Sequence, residues 1–339
     1  VTGGGLALSP TMTFFSANGG AINEGRMNVN GMTVGAARSG GVSSYVYDAV
    51  GVQEVAVRVG GGLGETDTGG PIMNIVPRSG GNSFDGTVFT SLAGDWSRGD
   101  NLNDELRSFG ITETPGIIQA HDASLAYGGP IVRDRLWFYA TYRQTGSERT
   151  VPGMWFNKNA GNPDAWTYEP DLSRRAIYDG TWINVPLRLT WQATPRNKFN
   201  IFWDEQRMCL ECGAGGPGGG SPTVAPESSG GTWDTDFQRF HQMTWSSPLT
   251  SRLLAEAGYG HVRTKYGRQN ANADLIRVTE QGGAIPGLTY RSGGWLRNLT
   301  TTPRWRASPS PMSMSKFASA RTGARLGGRN VRLTLWPWM

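Results

Sequence analysis

From Gly86 onward, apolar and polar side chains swap at every residue over segments of strand length. The clearest runs from Trp182 to Gln192, with Val185, Leu187, Leu189 and Trp191 on one side and Asn184, Pro186, Arg188, Thr190 and Gln192 on the other. Leu136, Phe138, Ala140 and Tyr142 oppose Trp137, Tyr139, Thr141 and Arg143 in the same way. Phe199, Ile201 and Trp203 alternate with Lys198, Asn200 and Asp204, and Leu253, Ala255, Ala257 and Tyr259 with Arg252, Glu256 and Gly258. About seven such segments between residues 83 and 299 predict strands with one apolar and one polar or mixed face.

The connections sharpen this pattern. Short turns are expected at Gly128–Asp134, Thr194–Asn197 and Ser247–Thr250, and between them lie long polar excursions near Trp96–Gln119, Gly146–Gly180, Met208–Thr235 and His261–Trp295. A soluble sandwich has no reason to place every long loop at one end, whereas an outer-membrane barrel does. Hydrocarbon offers no partner to a backbone N–H or C=O, so spanning strands must pair all round, apolar side chains to lipid and polar ones to the lumen. A tilted strand of about 9 to 11 residues suffices to cross. Trp137, Tyr139, Trp182, Trp191, Trp203 and Trp245, near strand ends, fit interfacial girdles.

The segment before the alternation reads differently. Asn28–Val34 (NVNGMTV) and Ser44–Gly61 suggest two short strands among glycine-rich turns. Ile72–Val76 is a strand-length apolar run interrupted by Asn74, fenced by Gly69, Gly70 and Pro71 ahead and by Pro77, Ser79, Gly80 and Gly81 behind. Residues 1–82 are therefore expected to form a small domain of their own, and 83–299 the wall.

Composition agrees with a β-rich chain. There are 49 glycines and 13 tryptophans in 339 residues, with mean hydropathy -0.39. No stretch approaches the roughly 20 apolar residues of a spanning helix. The net charge of +5 is unevenly placed: 9 of the 32 Lys and Arg follow Glu280, where no acid occurs, so residues 1–280 carry -4. A nucleic-acid reading of the high pI would rest on the tail alone. That tail, residues 300–339, is rich in Arg, Ser and Gly; the expectation is a disordered basic segment or a slip of the coding frame near residue 300.

Little in the chain invites chemistry. Cys209 and Cys212 sit in the third long excursion, where a disulfide or a plain pair of thiols is the expected state. With three histidines and no second cysteine pair, a zinc site is not expected. Gly60–Gly64 lacks the Lys-Ser/Thr and the helix of a phosphate loop. His121, His241 and His261 fall in separate segments, no triad or nucleophile elbow appears, and neither an enzyme activity nor a cofactor is expected. Two functions remain: a membrane transporter or receptor, or a secreted β-rich carbohydrate-binding or adhesion protein.

A resemblance separates them. Gly69, Gly70, Asn74, Ile75, Val76, Arg78 and Gly80 resemble the end of the plug domain of TonB-dependent outer-membrane receptors. Asn30 and Gly31, in VNGMTV, look like an earlier plug motif in which Asp is the usual residue in place of Asn30. Gly128, Gly129, Pro130, Arg133 and Asp134, with the strand that follows, resemble a periplasmic turn of the Oar-like subgroup. The resemblance implies an incomplete transmembrane antiparallel β-barrel preceded by a partial plug, with about seven of the roughly 22 strands of the family. It also implies an outer-membrane location of the Gram-negative type and a scarce substrate bound at extracellular loops. An inner-membrane TonB-type complex would energise plug displacement, its contact segment lying outside this piece.

Overall fold

The structure, a computed structural model, describes residues 16–17, 24–34, 46–59, 70–99, 102–212, 221–229, 233–251, 253–263, 271–272, 274–293 and 330–337. Four strands come first: β1 (Arg26–Val29), β2 (Met32–Thr33), β3 (Val52–Arg58) and β4 (Ile72–Pro77). They form one sheet in the order β2-β1-β4-β3, with β1 parallel to β4 and the other pairs antiparallel. Asn30 and Gly31 turn β1 into β2 at φ 46° and 76°. A two-residue hairpin needs this left-handed pair, and Asn followed by Gly adopts it at the least steric cost.

The wall follows: β5 (Asp85–Gly94), β6 (Ile117–Val132), β7 (Leu136–Asn157), β8 (Pro170–Gln192), β9 (Lys198–Leu210), β10 (Trp233–Thr250) and β11 (Leu253–Arg263), with a short helix α1 (Asp104–Ser108) between β5 and β6. Strands β12 (Val278–Thr279) and β13 (Thr289–Tyr290) form a separate hairpin, and β14 (Asn330–Pro337) pairs antiparallel with β11. The large sheet is an eight-stranded antiparallel meander in the order β14-β11-β10-β9-β8-β7-β6-β5. Its end strands β5 and β14 do not pair with each other, so the barrel is not closed.

Burial inverts the usual soluble pattern. Asn184, Asp204, Gln206 and Gln242 are buried on one face of the wall, while Leu125, Tyr142, Val185, Trp191, Ile201, Trp203 and Met243 are exposed on the other. An exposed apolar band across five neighbouring strands far exceeds the patch that water tolerates, and lipid is the solvent that covers it. Its lower limit is a row of cross-strand partners, Leu136, Trp191, Phe199 and Trp245. Its upper limit on β9 and β10 is the Glu205–Arg239 ion pair at 3.1 Å. Phe199 to Glu205 spans about 20 Å of strand, close to the apolar height of such barrels.

Three expectations need correction. Strands β7 and β8, of 22 and 23 residues, run well into the excursion expected over Gly146–Gly180, leaving a loop of only residues 158–169. The extension pairs Gly146–Thr150 with Ile177–Thr181 and, past a register shift, Trp155, Phe156 and Asn157 with Arg175, Asp171 and Pro170, so the ladder carries on where a loop was expected. At the other end, Gly128, Gly129 and Pro130 lie within β6, which continues through Val132, and the turn holds only Arg133, Asp134 and Arg135. Within the tail, residues 330–337 form a strand, so disorder does not describe that stretch; Val331, Leu333 and Leu335 alternate with Arg332 and Thr334, and the edge of β11 offers them a ladder. The rest of the tail lies outside the described residues.

Candidate functional site

The residues singled out in the plug and the turn meet at one seam, where the chain leaves the first sheet and enters the wall. A Cβ at Gly80 would stand 2.2 Å from the Phe138 carbonyl oxygen and 3.1 Å from that of Gly129. A Cβ at Gly129 would in turn lie 2.2 Å from the Phe84 ring, and one at Gly128 would lie 2.4 Å from the Tyr139 ring. These glycines are therefore close-approach positions, where backbone and ring pass within contact. Asn82 completes the seam: its Oδ1 accepts from the Asp134 amide at 3.0 Å and from Trp137 Nε1 at 2.7 Å, and its Nδ2 donates to Asp134 Oδ1 at 2.6 Å. Asp134 holds φ 62°, a turn conformation that Asp tolerates.

Deeper in, the remaining plug residues converge. The Asn74 side chain accepts from the Gly31 amide at 2.7 Å, and the Asn30 amide donates to the Ile75 carbonyl at 2.9 Å. Arg78 donates through Nε to the Val52 carbonyl at 3.1 Å, tying β4 to β3. Gly70 passes so near Glu24 that a Cβ would stand 2.4 Å from its carbonyl oxygen. Gly69 lies outside the described residues, and Pro130 and Arg133 make no contact that bears on the seam.

The inner wall face grips this small sheet. Ile75, Met27, Val29 and Val34 pack with Phe202 of β9 and Phe240 of β10. Around that core the contacts are polar. Asn30 Nδ2 donates to Gln242 Oε1 at 2.7 Å, and Gln242 Nε2 to the Val29 carbonyl at 3.0 Å. Gln206 makes a reciprocal pair with the Val46 backbone, at 3.1 and 2.6 Å. Arg188 Nη1 donates to the Pro77 carbonyl. The strongest contact is a three-membered bridge: Arg143 Nη1 meets Asp48 Oδ1 at 3.0 Å, and its Nε and Nη2 meet both oxygens of Asp122 at 2.9 and 2.6 Å. Asp48 belongs to the small sheet's connection, Asp122 and Arg143 to the wall. Thr141 Oγ1 adds a bond to Asp48 Oδ2 at 3.0 Å.

Sequence reasoning did not single out Asp48, Asp122, Gln206 or Gln242. Arg143 did stand on the mixed face of its strand, and a charge at an inward position is the signal that could have pointed here.

At the long-loop end, three connections fold together over the inner face. Val151, Met154 and Ala176 of the extended β7–β8 hairpin pack with Ala225, Leu288 and Tyr290. Buried Glu227 accepts from Asn157 Nδ2 at 2.8 Å and from the Arg291 amide at 3.2 Å. Arg291 donates through Nε to Ala165, through Nη1 to Ile276 and through Nη2 to Pro163, each time to a backbone carbonyl. Burial holds the Tyr168 and Tyr290 phenols above their usual range; nearby Glu280 adds to it at Tyr290.

Cys209 and Cys212 form a disulfide at the outer end of β9, and the Cys212 amide donates to Asp179 Oδ2 at 3.1 Å. Beside them, on the outward face, Gln119, His121, Glu148 and Thr181 help line a cavity of about 120 Å³, smaller than an organic ligand needs. Among the described residues no cluster of three His, Cys, Asp or Glu could hold a metal ion. No helix among them is long and apolar enough to cross a membrane.

A partial antiparallel wall, apolar on its outer face and polar inside, gripping a small mixed sheet is an architecture similar to that of TonB-dependent outer-membrane receptors. The chain's likeness runs to the TonB-dependent transporter Oar of Myxococcus xanthus, 32% identical over 133 residues, which is 38% of this chain and 12% of that protein. The outer membrane transporter YddB from Escherichia coli shares the fold at TM-score 0.51 and 14% identity, over 81% of this chain and 36% of that one. This chain thus spans well under half of either protein. No family model matches. Both matched proteins are transporters, and YddB is one of the outer membrane.

Proposed function

We propose that this chain is the plug, residues 1–82, and the leading wall strands, 83–299, of a transporter. It captures a scarce substrate at its long loops and admits it when an energised inner-membrane partner of the TonB type displaces the plug. Neither covalent chemistry nor a cofactor is required; a plug with two positions and differential binding suffices. The observation that supports this reading is the nature of the plug–wall contact. Apart from two small apolar clusters, one around Ile75 and one where Val46 packs on Trp182, Met208 and Leu210, the described contact is made of side-chain hydrogen bonds and the Asp48–Arg143–Asp122 bridge. Water can replace such partners as the plug moves, whereas a large apolar interface would have to be exposed at about 25 cal/mol per Å². A secreted adhesion protein is disfavoured by the outward apolar band.

Fractionation tests the proposal. The full-length gene product should enter the outer membrane and run on gels with heat-modifiable mobility. A water-soluble monomer would refute it.

A further inference from the structure

Trp166 is out of place in the outer loop cap. The residue is 52% exposed, yet the backbone that carries it is held by side chains from a distant connection. The Trp166 carbonyl accepts from the Tyr290 hydroxyl at 2.8 Å and that of Ala165 from Arg291 Nε at 3.0 Å, so the β11–β14 connection fastens the β7–β8 tip. Within the tip, Asn159 Nδ2 donates to the Thr167 carbonyl at 3.1 Å. Arg291, itself 3% exposed, lies with its guanidinium 3.7 Å from the centre of the Trp166 ring. One face of the indole is therefore covered by a buried cation and the other faces solvent.

An exposed aromatic fixed from beneath costs hydration and gains nothing for folding on its open face. Aromatic anchors of this kind, with their ordering entropy already spent, are what binding surfaces use. The open face excludes one class of partner: with Arg291 on the far side, a second cation is repelled and a quaternary ammonium or lysine has no reason to settle there. A flat apolar ring face rimmed by hydroxyls suits it, since stacking on indole is mainly dispersion and dehydration. The surroundings supply matching polar groups: Asn162 and Asp164 are exposed in the same loop, and Asn272 Oδ1 lies 3.7 Å from a Cβ built at Gly161.

We propose that Trp166 is a recognition platform for the ring face of a neutral sugar, held in position by Arg291 and Tyr290. The site rests on the transport reading only in that the long-loop end is taken as the outer side. It names a substrate class that the transport reading leaves open.

The test is affinity electrophoresis of the refolded full chain in a detergent without a sugar headgroup, through gels containing laminarin, xylan or soluble starch. At least one of these polysaccharides should retard the wild-type protein. Trp166→Ala should weaken the retardation at least tenfold and Trp166→Phe by less. Because Tyr290 and Arg291 bond to backbone carbonyls, Trp166→Ala leaves the anchors of the cap in place, and unchanged proteolytic resistance of residues 151–178 verifies this. Absence of retardation by all three polysaccharides, or equal retardation of Trp166→Ala, overturns the proposal. Either result in a protein that still shows heat-modifiable mobility leaves the transport reading standing, whereas failure to insert counts against that reading alone.

Discussion

Removing the Arg143 side chain should loosen the plug without dismantling the wall. The Asp48 side chain is 1% exposed, Arg143 21% and Asp122 26%, so the bridge is largely shielded from water. Breaking a buried pair by deleting one partner costs about 3–5 kcal/mol, because the other charge is left uncompensated. In Arg143→Ala, Asp48 keeps the Thr141 hydroxyl and the Val50 amide at 3.2 Å, which places the expectation at the lower end, about 3 kcal/mol. At about 1.36 kcal/mol per factor of ten, that is roughly a 150-fold rise in the population of the released plug. Asp48→Asn should do much less. Arg143 retains both Asp122 oxygens, and the loss of one charge-assisted bond costs about 1.5 kcal/mol, roughly tenfold. Amide hydrogen exchange of the refolded protein, followed in peptides covering Val52–Arg58 and Ile72–Pro77, reads both effects against wall peptides as internal control. If the two variants speed exchange equally, or if Arg143→Ala leaves the plug peptides as protected as in wild type, the bridge does not hold the plug and the reasoning fails.

Two glycines at the contact between the first sheet and the wall should behave in opposite ways. Gly80→Ala forces a methyl group onto the Phe138 backbone and should cost about 1–3 kcal/mol; Gly258→Ala meets only the mobile Cε of Met32 at 2.3 Å and should cost under about 1 kcal/mol. Urea midpoints of the gel-mobility shift compare them. The cap should weaken in alkali: the Tyr168 and Tyr290 phenols stay protonated in the folded cap at a pH where the unfolded chain ionises, near 10. Their contribution is therefore complete below about pH 10 and falls as pH rises above it. Protease cleavage of the loop at residues 158–169 should speed up between pH 9 and 11, and Tyr168→Phe should flatten that rise.

Alternation of side chains is a local property, and it carried the strands, their two faces and the membrane environment directly. Val185, Leu187, Leu189 and Trp191 point to lipid because their neighbours Asn184, Arg188 and Thr190 point away, and a strand cannot present two successive residues to one side. Unequal loop lengths likewise told the two ends apart. Where strands stop was less legible, since Gly128 and Gly129 look like breakers while neighbouring strands pair with both, and Gly153 sits in a register shift where its amide donates to the Glu113 carboxylate.

Contacts between segments distant in sequence were decided by the tertiary structure alone. Asp48 and Arg143 are 95 positions apart and Ala165 and Arg291 are 126, and no local pattern links them. A buried arginine and an exposed one are the same letter. What distinguishes them is which loop closes over which, and that depends on the wall's register fixing where each loop begins.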